Sequence, residues 1–160
     1  MAKARPVPGL GPDISMREAA ARTIEVRAQE VFEYASGVLD TSDIERVHDM
    51  RVATRRLRAA LEVFAACFPK REYKRALRDV KGLADALGTR RDPDVALAAV
   101  EKIAAKFAAA DRPGVRSFEH ELRADQAIGN RELERALADA VATQLESRLF
   151  ALAGLARVPV

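Results

Sequence analysis

Hydrophobic side chains recur along the chain at intervals of three and four residues, the spacing that is typical of amphipathic α-helices. No stretch alternates apolar and polar residues in the manner of a β-strand. Breaks in the helical pattern fall at glycine, proline and capping residues, and they divide the chain into about six helices. The predicted helices span approximately residues 15–39, 44–68, 70–87, 93–109, 115–128 and 131–155. The pattern therefore predicts an all-α fold, an antiparallel helical bundle of the four-helix-bundle type.

Local signals set the predicted helix boundaries. Capping boxes begin the first helix at Ser15–Glu18 and the second at Ser42–Glu45. Gly88 is expected to follow the C-terminus of the third helix, and Asp92–Pro93 to begin the fourth. Gly129–Asn130 is expected to interrupt or kink the later part of the bundle. The connection between the first two helices is short, so they should be antiparallel neighbours.

Length and composition indicate one globular domain. A chain of 160 residues can bury a core, and 49% hydrophobic residues with only 5% aromatic ones predict a core of alanine, leucine and valine. Residues 1–12 are rich in proline and glycine and predict a flexible N-terminal arm before a helical domain at 13–160. Cys67 is the single cysteine and is expected to be a packed thiol. No apolar run could span a membrane and no secretory signal is present, so a cytoplasmic location is expected.

The predicted helix at 44–68 has one apolar face and one basic face. The basic face fits within an arc of about 80°. Its members are His48, Arg51, Arg55 and Arg58. Like charges stacked at this spacing destabilise a helix, and a bound polyanion would offset that cost. The third predicted helix has a comparable basic face, formed by Lys74, Arg78 and Lys81. Two neighbouring basic faces could form one groove that binds an anion.

The positive charge is local. The net charge is only +3, yet residues 46–91 hold 13 lysines and arginines against 5 acidic residues. Such an asymmetry is the electrostatic footprint of a binding site rather than of general basicity. Arginine suits phosphate because its planar, permanently charged fork can contact two oxygens at once. The near absence of aromatic residues in the basic segment argues against single-stranded nucleic acid, which usually needs stacking platforms.

Two segments resemble the signatures of a known family, the CHAD domains (conserved histidine α-helical domains). They are Val47–Arg58, with the sequence VHDMRVATRRLR, and Leu87–Val95, with the sequence LGTRRDPDV. The resemblance implies an all-helical fold with a basic surface, binding of inorganic polyphosphate and association with polyphosphate granules in bacteria. The binding residues that it implies are His48, Arg51, Arg55, Arg56 and Arg58 in the first motif. Further candidates are Lys74, Arg78, Lys81, Arg90 and Arg91.

A complete domain of this family resembles two helical bundles related by internal repetition, and this chain resembles the first bundle alone. The later histidine, His120, lacks the row of arginines that a second bundle would carry. It is therefore expected to lie on the surface without a role. Pairing with a second copy would rebuild a two-bundle basic channel by symmetry, which makes a homodimer the working hypothesis.

An enzymatic function has little support in the sequence. No paired nucleophile and base, HExxH helix or phosphate-binding GxxxxGK loop is present. Asp92 and Asp94 could hold Mg²⁺ against a polyphosphate, but a helix cap or an ion pair with Arg90 or Arg91 explains them more simply. We therefore expect non-catalytic polyphosphate binding with no metal and no cofactor. The alternatives are a generic polyanion-binding module, for nucleic acid or acidic protein, and an accessory metal-dependent phosphohydrolase.

Overall fold

A computed structural model describes residues 3–158 and confirms the all-α prediction. The described residues contain no β-strand. They form five α-helices and one short 3₁₀ turn at Ala65–Cys67. The helices are α1 (Met16–Glu33), α2 (Ile44–Val63), α3 (Lys70–Ala104), α4 (Arg112–Ala142) and α5 (Leu145–Ala156). No helix within this range is long and apolar enough to cross a membrane.

The helices pack as antiparallel neighbours. Helix α1 lies between α2 and α5, α2 packs against α3, and α3 packs along α4. The direction of each pair follows from its contacts. For example, Lys81 of α3 meets Glu62 near the end of α2, whereas Arg91 meets Glu45 near its start. The predicted antiparallel arrangement of the first two helices is confirmed by Arg17 of α1, which reaches the carbonyl oxygen of Cys67 beyond the end of α2.

The main core is aliphatic, as the composition predicts. Small side chains of α1, among them Ala20, Ala21 and Ala28, are fully buried and let the neighbouring helices approach closely. Leucines from α2, α3 and α5 fill the remaining space. A second, smaller cluster of Leu97, Val100 and Leu122 joins the later part of α3 to the early part of α4. Cys67 is buried at the edge of the main core, which confirms the prediction of a packed thiol.

Helix α3 continues through the segment where the sequence predicted a boundary. The predictions that Gly88 ends one helix and that Asp92–Pro93 begins the next are therefore wrong. Pro93 has no amide to donate to the carbonyl of Thr89 one turn earlier. Contacts with α4 hold this turn in place, because the backbone of Gly129 packs directly against Thr89 and Arg90. Tertiary packing thus overrides the local stop signals.

The boundaries of the later helices also differ from the prediction. Helix α4 runs without interruption through Gly129–Asn130, where glycine serves close packing instead of a break. The predicted last helix is instead divided at Gln144, which has a left-handed backbone with φ of 52°. The apolar spacing of Val141, Leu145 and Leu149 continues across this turn, so the hydrophobic pattern gave no sign of it. These differences leave five α-helices in place of about six.

The two predicted capping boxes have different outcomes. The Ser15 hydroxyl accepts a hydrogen bond from the amide of Glu18 at 3.1 Å and caps α1 as expected. The box at Ser42 is wrong, because the Ser42 hydroxyl donates to the carboxylate of Asp40 at 2.7 Å instead. This hydrogen bond, together with one from the Ser42 amide, lowers the pKa of Asp40. Asp43 occupies the N-cap position of α2 without a side-chain capping bond.

The described part of the predicted N-terminal arm lies against α1. The amide of Arg5 donates to the buried carboxylate of Glu30, and the Arg5 guanidinium pairs with Glu33. Arg22 donates to the carbonyl oxygens of Pro8 and Gly9. Residues 1 and 2 of the arm, and 159 and 160 of the predicted domain, lie outside the described residues. Backbone and charged contacts therefore attach residues 5–9 to the bundle.

Charged contacts also close the bundle at its other terminus. Arg157, just after α5, pairs with Glu18 and Glu25 of α1 at 2.9 and 2.6 Å. Hydrogen bonds from Arg22 and Arg157 hold the pKa of Glu18 below its usual range. These contacts place the end of α5 beside the first half of α1, as expected of two antiparallel helices.

The packing at Gly129 generates a stability prediction. A Cβ atom at this position would lie 2.9 Å from both the Cα of Arg90 and the carbonyl oxygen of Thr89. We therefore expect Gly129→Ala to destabilise the protein, because the backbones of two helices must move apart. Gly82→Ala is the matched control, because Gly82 is also inside a helix but has no atom within 4 Å of the added carbon. This control should stabilise the protein by up to about 1 kcal/mol. Urea denaturation followed by circular dichroism measures both, and an equal gain for the two variants would contradict the close approach.

Candidate functional site

An open groove of about 450 Å³ runs between α2 and α3. One wall is the basic face of α2, and the other wall and the floor come from the middle of α3. The α2 wall consists of Arg51, Arg55 and Arg58. The residues from α3 are Ala84, Asp85, Gly88, Thr89 and Asp92. The groove therefore places the predicted arginine row opposite a stretch of α3 that the sequence had assigned to a helix end and a turn.

The amphipathic pattern of α2 explains why the arginines face the groove. Met50, Ala53 and Leu57 on the opposite side of the helix are buried in the main core. Arg51 and Arg55 are one helical turn apart and exposed. On α3 the floor of the groove is open because Ala84 and Gly88 carry little or no side chain, and a Cβ added at Gly88 would meet no other part of the structure within 4 Å. Core packing thus orients the cations, and small residues leave space in front of them.

Arg51 and Arg55 form no hydrogen bond or ion pair with any other described residue. Arg58 pairs with Glu62 at 3.3 Å, and Lys81 of α3 reaches the same carboxylate at 3.7 Å. All three of these side chains are more than two-fifths exposed, so each contact contributes at most about 1 kcal/mol. An incoming anion could therefore replace Glu62 as the partner of Arg58 and Lys81 with little loss of free energy. Lys81 extends the basic wall at this end of the groove.

Two carboxylates face the groove from α3. Asp85 and Asp92 are exposed, and seven residues place them on the same face of the helix two turns apart. Their carboxylates form no hydrogen bond or ion pair within the described part of the chain. Asp85 was missing from the sequence-based site, and Asp92 was interpreted as a helix cap. Ala84 and Gly88 are four residues apart, so in a continuous helix they lie on one face and leave space for a groove. The sequence alone did not reveal this face, because it predicted that the helix ends before Gly88.

The other residues of the first motif lie beside the groove. His48 is half-buried, one turn before Arg51 on the same face of α2, and does not line the groove. Arg56 is half-buried and also outside the lining. The groove thus brings together three of the five predicted residues of that motif.

The predicted basic face of α3 is only partly assembled with that of α2. Lys81 lies beside Glu62 and Arg58, next to the groove. Arg78 instead lines a separate depression with Asp139 and other residues of α4, and it pairs with Asp79 at 3.3 Å. Lys74 is exposed and lies outside the groove lining. The basic faces of α2 and α3 therefore meet only near Arg58 and Lys81, and they do not run side by side along the groove.

Arg90 is not a surface residue, and the prediction that it contacts a ligand is wrong. Its side chain is 0% exposed and pairs with Asp94, which is equally buried. Its Nε donates to the side-chain oxygen of Asn130 at 3.0 Å, and the Asn130 amide donates to the carbonyl oxygen of Leu39 at 3.0 Å. Gln126 donates to Asp94 at 2.7 Å. The pairing of Asp94 with Arg90 that the sequence suggested is confirmed, and its role is to hold helices together.

Arg91 also has a structural environment. Its side chain is 16% exposed and donates to the carbonyl oxygen of Ile44, the first residue of α2, at 3.2 Å. Glu45 lies 3.9 Å away. The second motif therefore connects α3 with α4 and with the start of α2. Arg90 and Arg91 thus support the groove from behind, whereas Gly88, Thr89 and Asp92 of the same motif line it.

Other candidates for metal or ligand binding are not assembled into sites. Among the described residues, no three His, Cys, Asp or Glu side chains come close enough to hold a metal ion. Asp94 is buried against Arg90, whereas Asp92 faces the groove, so the two carboxylates do not face a common site. His120 is exposed on α4, as expected.

Comparison with known protein families finds a matching family model. The family model of the CHAD domain matches residues 22–159, a range that contains both motifs. The chain belongs to the CHAD domain family. No curated protein matches the chain. Within this CHAD domain the first motif supplies the exposed arginine row. The second motif supplies both the buried support of α3 and part of the facing wall of the groove.

The buried pair generates a second stability prediction. Arg90→Met should destabilise the protein by about 3–5 kcal/mol, because Asp94 would remain buried without its main partner. The double variant Arg90→Met/Asp94→Leu should recover much of this loss, because it removes both charges. Arg51→Met is the surface control and should change the free energy of unfolding by no more than about 0.5 kcal/mol. Equal losses for Arg90→Met and Arg51→Met in urea denaturation would contradict the buried role.

Proposed function

We propose that this CHAD domain binds inorganic polyphosphate non-catalytically along the groove between α2 and α3. The observation that carries the proposal is the pair of exposed guanidinium groups of Arg51 and Arg55, which have no partner among the described residues and lie beside Arg58. Along a helix these three residues rise by about 6 and 4.5 Å in turn, so their charges form a line. A linear polyanion can follow such a line and contact several arginines at once.

The chemistry of the groove lining supports this ligand class. Guanidinium groups contact phosphate oxygens in pairs and stay charged at every physiological pH. None of the groove-lining residues is aromatic, so the groove offers no platform for stacking bases. Polyphosphate has no bases to recognise and needs only charge and spacing. In the cell, the proposal places the protein in the cytoplasm on polyphosphate granules.

Two alternative functions, a phosphohydrolase and a generic polyanion-binding surface, would use these residues differently. A phosphohydrolase that used Asp92 and Asp94 would need both carboxylates at one metal, but Asp94 is only 1% exposed and is paired with Arg90. This placement favours a non-catalytic function. A generic polyanion-binding surface would use the same arginines, so it differs from the proposal only in selectivity.

Charge reversal at the row tests the proposal. Arg51→Glu/Arg55→Glu should weaken binding of labelled long-chain polyphosphate by at least about 100-fold, because each lost charge-assisted contact is worth about 1.5–3 kcal/mol. Fluorescence anisotropy at about 150 mM salt measures the affinity, and circular dichroism checks that helicity is retained. The wild-type affinity should also fall as salt rises, because phosphate contacts release counterions.

The matched control reverses two exposed arginines of α4, Arg116→Glu/Arg131→Glu, which changes the net charge by the same amount. It should retain most of the affinity. If the groove variant binds as well as this control, the groove is not the site. Competition by orthophosphate, ATP and DNA then measures selectivity, and equal competition by DNA would reduce the function to generic polyanion binding.

We propose in addition that two copies of the domain pair. Apolar side chains remain exposed where α3 ends and α4 begins, with Ile103, Phe107 and Phe118 between 39% and 49% exposed. Phe107 and Phe118 border a depression of about 510 Å³. Neighbouring exposed apolar residues of this kind are typical of interaction surfaces. A two-fold pairing would bury the same patch on both copies.

Light scattering tests the pairing. We expect the mass of two chains for the wild type, because self-association would cover the apolar patch, and the mass of one chain for Phe107→Ser/Phe118→Ser. Val141→Ser is the control, since Val141 is 77% exposed on α4 and does not border the depression. A monomeric wild type at working concentration would exclude the homodimer.

A further inference from the structure

The groove has walls of opposite charge. Arg51, Arg55 and Arg58 form the α2 wall, whereas Asp85 and Asp92 stand on the α3 wall. Many acidic side chains of the bundle act as ion-pair partners. Asp79 pairs with Arg148 at 2.7 Å, and Glu62 bridges Arg58 and Lys81. The two groove carboxylates have no such role within the described residues, although arginines line the opposite wall. Their charge therefore faces the groove itself and not a basic side chain of the bundle.

We propose that Asp85 and Asp92 make the groove selective for a narrow, single-file polyphosphate and against double-stranded nucleic acid. This inference rests on the proposed function. A narrow chain that follows the arginine row touches the α2 wall alone. Its phosphates can stay on the far side of the groove from the carboxylates. Water between them then weakens the repulsion, because the interaction of two exposed charges falls with distance and with the high dielectric constant of water.

A duplex cannot avoid the second wall in this way. Packed helices have axes about 8–10 Å apart, whereas the two phosphate strands of B-DNA are separated by grooves about 6 and 12 Å wide. A duplex that places one strand on the arginines of α2 is therefore wide enough to cover α3 as well. Asp85 and Asp92 would then repel phosphates at short range. Like-charge contacts of this kind discriminate against wrong partners more than they weaken the right one.

The position of the carboxylates on α3 suits this role. Seven residues separate them, so they line one face of the helix over two turns, alongside the span of Arg51 to Arg58. Gly88 lies between them and leaves the floor open, so the wall repels by charge instead of blocking by bulk. A steric block would exclude polyphosphate as well, whereas a charged wall at a distance acts mainly on wide ligands.

The variant Asp85→Asn/Asp92→Asn tests the inference, because it removes both charges and keeps the size of both side chains. Affinities are measured by fluorescence anisotropy at about 150 mM salt, with labelled long-chain polyphosphate and with a labelled DNA duplex of about 20 base pairs. We expect the affinity for duplex DNA to rise by at least about 10-fold and that for polyphosphate by less than about 3-fold, so that the selectivity falls.

The matched control is Asp125→Asn/Glu134→Gln, which removes two exposed acidic charges from α4 and changes the net charge equally. It should leave the ratio of the two affinities unchanged. The inference is overturned by an equal gain for both ligands, by no gain for DNA, or by the same effect in the control. It is also overturned by weaker polyphosphate binding in the variant, which would mean that the carboxylates assist binding.

The two proposals fail in distinguishable ways. If the wild type does not bind polyphosphate, or binds it without loss in Arg51→Glu/Arg55→Glu, the proposed function fails and the inference fails with it. If polyphosphate binding depends on the arginine row but the selectivity of Asp85→Asn/Asp92→Asn equals that of the wild type, the function stands and only the selectivity role is lost.

Discussion

The buried ion pair between Arg90 and Asp94 is the interaction on which the groove depends. Both side chains are withdrawn from water, and Asn130 and Gln126 of α4 supply hydrogen bonds to the two charges. Asn130 in turn holds the carbonyl oxygen of Leu39 in the connection between α1 and α2. A buried charge that loses its partner is strongly destabilising, so this cluster specifies one register of α3 against α4. Gly129 permits that register because its missing side chain lets the two backbones meet.

This register determines the surface on the other side of α3. Because the helix continues through Gly88 and Pro93, Asp85, Gly88 and Asp92 form one unbroken face opposite the arginines of α2. A helix that ended at Gly88 would have left a loop there, and the groove would have had only one wall. Arg91 completes the link, since its contact with the carbonyl oxygen of Ile44 ties the start of α2 to the same turn. The second motif therefore lines the groove through Gly88, Thr89 and Asp92, and its other polar residues hold α3 in place behind it.

The sequence was sufficient to predict the fold class, α2 and its arginine row, because these depend on hydrophobic periodicity over many residues. It failed at Gly88, Pro93 and Gly129, where the local preference of the chain opposes the fold. Each of these residues usually marks the end of a helix, and packing between α3 and α4 outweighs that preference here. The prediction for Arg90 was wrong for a related reason. Its residue type is the same as that of Arg55, and only the position of α4 decides that one is buried and the other exposed.

Several arginines have structural roles that depend on acidic partners. Arg27, Arg90, Arg148 and Arg157 each have an acidic partner, and each joins segments or stabilises a helix through it. Arg51 and Arg55 have none among the described residues, although Asp85 and Asp92 lie across the same groove. Like charges one turn apart destabilise α2, and the buried apolar face of that helix compensates for this cost. Proteins break such local rules of stability at functional sites, and the arginine row of α2 breaks one of them where it lines the groove.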